Sequence, residues 1–239
     1  MDLREHNRAL QLIKWYEANF GLPFINLALH AAVPLTLTPK LLGYIRNRFL
    51  RTEVPWVYES DLLLSQLVKE TGFEQYVLKP EIRKILLRYL IESNEFGLAR
   101  YQEISRLLLF WIQDRLKIDS FASVQDLSAQ RLGAMIAIPE YEKQGLVEIS
   151  NSIGEAFQQE DRAHAWELFA ELEYIFDFVH DEFEAENREL LTYVKLFNQA
   201  ESELPIERSE WENFSQRKIV LEDLFLPKLN RSEERRVGK

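Results

Sequence analysis

Two runs decide the fold: FINLALHAAVPLTLTPKLLGYIRNRFL at 24–50 and VPWVYESDLLLSQLVKETGFEQYVLKPEIRKILLRYL at 54–90. They hold the densest apolar pattern and most of the turn chemistry in the chain. Phe24–Val33 is apolar except at Asn26 and His30. It is too long and too rich in Leu and Ala for a typical strand, so it reads as a buried helix that Pro34 stops. Thr38 then precedes Pro39. A hydroxyl that can accept from the first turn, followed by a proline whose missing N–H costs nothing there, marks a helix start. Leu37 is placed to pack back as a staple. The helix Pro39–Leu50 puts Leu41, Leu42, Ile45 and Phe49 on one face, with Lys40, Arg46, Asn47 and Arg48 largely off it.

Residues 51–58 read as a linker that places Pro55 and Trp56. Ser60 reads as the cap of a helix through Glu70, closed by Thr71-Gly72. Phe73–Leu78 alternates weakly and is expected as a short strand or extended segment. Pro80 opens a helix through Leu90 with Ile82, Ile85, Leu86 and Leu90 inward. Three helices, a short extended element and a further helix within about 70 residues suggest a winged-helix-like unit.

Working outward, residues 2–20 carry Leu3, Leu10, Ile13, Trp15 and Tyr16 at helical spacing, and Gly21 with Pro23 ends that helix. From Phe96 onward the pattern stays helical, over 98–117, 124–138, 139–158, 162–183, 185–202 and 207–226. Helices of this length on short connections favour antiparallel neighbours. The expected architecture is mainly α: a winged-helix-like N-terminal unit, then an antiparallel helical bundle or short helical solenoid. The expected domains are 1–95 and 96–230. Residues 231–239, RSEERRVGK, resemble the translated read-through of a sequencing adapter. They are set aside as a disordered artefact, with the natural chain cut near Asn230.

Composition narrows the function. Aliphatic and aromatic residues make up 46% of 239, with only 8 Gly and 8 Pro, as suits a helical globular protein with a real core. Cysteine is absent, which removes disulfides, thiolate zinc and a cysteine nucleophile together. The charged N-terminus is not a signal peptide and no apolar run spans a membrane, so the expected location is the cytoplasm. Residues 1–138 carry 17 basic and 15 acidic side chains, whereas 139–230 carry 8 and 22. That acidic half repels nucleic acid and anionic membrane and favours solubility or a basic partner.

No catalytic pattern emerges. The isolated glycines form no phosphate loop. Ser60, Ser65 and Ser105 sit at cap or helical positions without a nucleophile elbow. Asp161/His164 and Asp177/His180 each share a helix face, but the pairs lie about 24 Å apart by helical rise and cannot share a metal. Exposed helix-end residues are the default reading for them. No catalytic residue, metal or cofactor is expected. A DNA-reading helix at Ser60–Glu70 would carry one Lys against Asp61 and Glu70, too little positive charge for a phosphate backbone.

The runs HAAVPLTLTPKLL, VPWVYESDLLLSQL and FEQYVLKPEIRKILL resemble a winged-helix-like module of large bacterial signalling proteins, chiefly cyanobacterial and actinobacterial. There it sits beside STAND-type ATPase, caspase-like, TIR or related effector domains. The positions that carry the resemblance include His30, Pro34, Thr38, Pro39, Pro55, Trp56, Asp61, Leu63, Pro80 and Arg83. The resemblance covers about residues 24–200 and implies no catalytic residue. It implies a non-catalytic adaptor or scaffold that docks a protein partner or another domain of the same full-length protein. The alternative is a winged-helix nucleic-acid-binding or transcriptional regulator. By residue type, His30 reads as a core histidine bonded to backbone, and Trp56 as a packing anchor.

Overall fold

The computed structural model describes residues 3–118, 127–159, 220–221 and 224–225. These are mainly helical. The chain divides into two compact units, Met1–Ile138 and Pro139–Lys239. The division expected at 95/96 falls inside the first unit.

In the first unit, α1 (Leu3–Phe20) and α2 (Leu22–Ala31) meet at Gly21. Its φ of 82° lies where a side chain would be strained, and this lets one residue close α1 and open α2. An aromatic cluster fills the corner that follows. Tyr16 stacks on Phe24 at 5.3 Å between centroids, and Phe20 and Tyr58 close around Phe24 at 4.9 and 5.7 Å. Both tyrosine hydroxyls are used. Tyr58 donates to the Phe20 carbonyl at 3.0 Å, and Tyr16 accepts from the Gln66 amide at 2.8 Å. Fully buried Phe24 is therefore a junction of α1, α2 and the segment after Pro55, and truncating such a ring typically costs about 3–5 kcal/mol.

Helix α3 (Pro39–Phe49) starts as the sequence dictates, with Thr38 Oγ1 accepting from the Leu41 amide at 3.2 Å. Leu41, Leu42 and Ile45 have no solvent exposure. Helix α4 is shorter and earlier than expected, at Val57–Leu63. Ser60 lies within it rather than capping it. The expected helix through Glu70 gives way to β1 (Val68–Gly72), paired antiparallel with β2 (Gln75–Leu78). Ser65 breaks the helix: its hydroxyl donates to the Leu62 carbonyl at 2.7 Å and accepts from the Leu67 amide at 3.2 Å. These local bonds replace helical ones and turn the chain into the hairpin. Of the expected extended segment Phe73–Leu78, residues 75–78 form β2 and Phe73 and Glu74 form the tip, with Glu74 at φ 53°.

The segment before α3 joins the hairpin. Leu37 exchanges both backbone hydrogen bonds with Tyr76, at 2.7 and 2.9 Å. Helix α5 (Pro80–Glu92) packs on α1 and α2, α6 (Gly97–Ile118) packs on α5, and α7 (Ser128–Ile136) packs on α6. Gln130 of α7 accepts from the Thr36 amide at 2.7 Å, tying α7 to the loop before α3.

In the second unit, α8 (Pro139–Gln159) has Pro139 at its start and Glu140 and Glu142 in its first turn, where acidic side chains favour the helix dipole. It packs against β4 (Leu224–Phe225), which pairs antiparallel with β3 (Val220–Leu221). The helix expected over 207–226 is thus corrected at its end, where two short paired strands stand instead. The expected helices 162–183 and 185–202, both Asp-x-x-His pairs and the tail 231–239 lie outside the described residues.

Candidate functional site

The surface of α4 is unusual for what it exposes. Trp56, just before the helix, is 71% exposed and Leu64, just after it, 84%. Val57 and Ser60 lie between them on the same side by helical spacing, and both are exposed. Beyond the helix, Phe73 stands at the hairpin tip with 90% of its surface in solvent. Single exposed apolar residues are ordinary, but a Trp, a Val and a Leu along one two-turn face form a patch. Trp56 therefore does not act as the internal packing anchor expected of it.

The fold holds this face rigidly. Leu62 points inward with no exposure. Glu59 turns toward α3 and pairs with Arg46, whose guanidinium also donates to the Val54 carbonyl at 3.3 Å. The pair is mostly buried and fixes α4 against α3. It also removes one cation and one anion from the surface. Between Val57 and Lys79 the exposed charges are Lys69, Lys79, Glu70 and Glu74, which balance.

The other residues singled out in the sequence fall at several places. Pro34 and Thr38 are buried, Pro39 is partly so, and Pro55 and Pro80 are exposed at helix starts. Asp61 and Leu63 are half-buried on α4. Arg83, only 4% exposed, reaches from α5 to the end of α2 and donates to the carbonyls of Ala32 at 2.7 Å and Val33 at 3.0 Å. His30 is fully buried, with Nδ1 2.7 Å from the Asn26 carbonyl and Nε2 3.1 Å from Arg100 Nη1. A guanidinium can only donate, so Nε2 accepts and Nδ1 carries the hydrogen. Burial, reinforced by the Arg100 charge and opposed by the Asn26 bond, lowers the His30 pKa to about 4. These residues do not converge on one cavity: His30, Thr38 and Arg83 support structure, and Trp56 faces solvent.

Leu64, Val57 and Phe73 were missed as surface features in the sequence. The signal was present in Leu62–Leu63–Leu64, because three consecutive leucines cannot all face one side of a helix. Among the described residues, no group of three or more His, Cys, Asp or Glu could hold a metal. No helix among them is long and apolar enough to cross a membrane. In comparisons with known proteins, no family model, no curated protein and no solved structure matches this chain.

Proposed function

We propose that the first unit is a winged-helix-like docking module that acts without catalysis, joining a protein partner or another domain of its own full-length protein. The order α2, Leu37 bridge, α3, α4, β1, β2, with Leu37 pairing to β2, supports the winged-helix reading. The observation that carries the docking reading is the exposed face of α4, where a nucleic-acid reader would present Lys and Arg. This chain presents Trp56, Val57 and Leu64 instead. Tryptophan is over-represented among the residues that dominate interface energies, and a rigid helix offers it at little ordering cost. The resemblance to modules beside STAND-type ATPase and effector domains gives the setting, a bacterial signalling or conflict-type assembly in the cytoplasm.

Site-specific photocross-linking tests this reading. A photoreactive side chain at position 64 is expected to capture one defined protein band in extract of the source organism. The band should vanish in Trp56→Ala and should not form from the exposed control position Lys69. Equal capture from both positions, or capture of nucleic acid alone, sinks the reading. The element order alone favours the second reading, a winged-helix regulator that binds nucleic acid. That reading requires binding of random duplex that weakens steeply with salt.

A further inference from the structure

The exposed face of α4 is nearly symmetric about its middle. Trp56, Ser60 and Leu64 recur every four residues and fall on one stripe of the helix, all three exposed. The spacing holds at both ends. Trp56 and Leu64 flank the helix but keep right-handed helical backbone, and the Leu64 amide donates to the Ser60 carbonyl at 3.0 Å. Eight residues set the two large side chains about 12 Å apart, with the small Ser60 halfway between them. Val57 widens the stripe, and none of these residues carries a charge.

A large–small–large stripe suits an isologous contact, in which a two-fold axis brings one surface onto itself. Two such stripes laid antiparallel, with the axis at Ser60, seat each Trp56 on the other copy's Leu64. One pair of residues is thus used twice, and the serines at the crossing let the helices approach to about 8–10 Å. The charges on either side give no other partner an advantage. Arg51 and Glu53 balance before the stripe, and Lys69 and Lys79 balance Glu70 and Glu74 after it, so a strongly acidic or basic partner gains little here. Asp61 is half-buried and stands about 100° round the helix from Ser60, at the rim rather than in the contact. Area sets the strength. Aromatic rings bury about 150–250 Å² each, so two Trp56 rings on two leucines make the core of an interface near ~1,000 Å² in all, the low end for a specific contact.

We propose that this face pairs with a second copy of the chain, as a weak, reversible two-fold dimer centred on Ser60. The proposal rests on the docking reading and names the partner. The contact is apolar, whereas the chain's net charge of −10 and the two Asp61 carboxylates at the rim oppose association. Added salt screens that repulsion and leaves the apolar contact in place, so it strengthens this dimer. A partner held by opposite charge would respond in the other direction.

The test uses the purified full chain. Sedimentation from low micromolar to several hundred micromolar concentration is expected to show a monomer–dimer equilibrium that strengthens with salt. Trp56→Ala and Leu64→Ala should each weaken it about tenfold or more, with circular dichroism unchanged. The chain contains no cysteine, so introduced cysteines report the geometry directly. Mild oxidation should join Ser60→Cys to itself. It should also join Trp56→Cys to Leu64→Cys in a mixture, while leaving each of those two alone unjoined. Self-association that Trp56→Ala does not weaken, or cysteine pairing without that pattern, overturns the two-fold contact. A chain that stays monomeric throughout overturns it as well. If the cross-link from position 64 then still captures a different protein, the docking reading stands. Loss of that cross-link together with self-association overturns both.

Discussion

Arg83 and Ala32 stand 51 positions apart, and the Arg83 Nε donates to the Ala32 carbonyl at 2.7 Å in a buried setting. The Val33 carbonyl takes the second donor at 3.0 Å. Helix ends leave carbonyls without partners, and Pro34, which lacks an N–H, follows directly. A side chain of α5 thus supplies what the local backbone cannot. Arg83→Met keeps the bulk and removes the donors, and should lower stability by about 2–3 kcal/mol through two stranded buried carbonyls. Urea unfolding checks this, and a midpoint equal to the parent's would deny the bonds any net worth.

His30 makes stability depend on pH. Its folded pKa, about 4, lies below the ordinary value of 6.5. The unfolded chain therefore takes up a proton before the folded one does, and stability falls as pH drops from about 6.5 towards 4. The full difference amounts to about 3 kcal/mol. Carboxylates also titrate in that range, so the comparison is between proteins. His30→Phe should be less stable at pH 7, because Arg100 loses its acceptor, yet should lose less on acidification. Parallel curves for the two proteins would contradict the buried neutral imidazole.

Thr38 offers a smaller, cleaner test. Thr38→Ala removes the acceptor for the Leu41 amide and should cost about 1 kcal/mol, with Thr38→Ser recovering most of it. If both variants melt together, the methyl rather than the hydroxyl matters at this position.

The Arg46–Glu59 pair ties α3 to α4. Glu59→Ala leaves a largely buried guanidinium with one fewer partner and should cost about 1–2 kcal/mol. Adding Arg46→Met should recover part of that loss, since an apolar replacement strands no charge. A simple sum of the two single losses would mean that the residues are not coupled.

Proline and hydroxyl chemistry made most of this fold readable in the sequence. Thr38-Pro39 and Lys79-Pro80 mark helix starts, and Gly21-Pro23 a helix end, through backbone limits that tertiary packing does not override. The change from α4 to β1 was not readable, because SDLLLSQLVKETG keeps a helix-like apolar spacing and holds no Gly or Pro before residue 72. Ser65 stands at the change, its hydroxyl bonded to the Leu62 carbonyl and the Leu67 amide, and a serine in a sequence does not announce which backbone groups it will take. The α4 patch stayed hidden for the same reason. With α4 running to Glu70, Trp56 falls in a linker and Leu64 at mid-helix. The contact of Arg100 with the Phe49 ring joins residues 51 positions apart, and no local pattern encodes that meeting.

The Leu37–Tyr76 bridge also governs how the hairpin can move. Two backbone bonds rivet the hairpin at Tyr76, two residues from Leu78 at its root, which is 4% exposed. Only the few residues beyond Tyr76 and its partner Glu70 are left as a lever, with Phe73 at its end. Such a short arm sweeps a small volume and loses little freedom when its aromatic tip is captured. The same rivet means that a partner pulling on Phe73 pulls on Leu37, two residues before the start of α3.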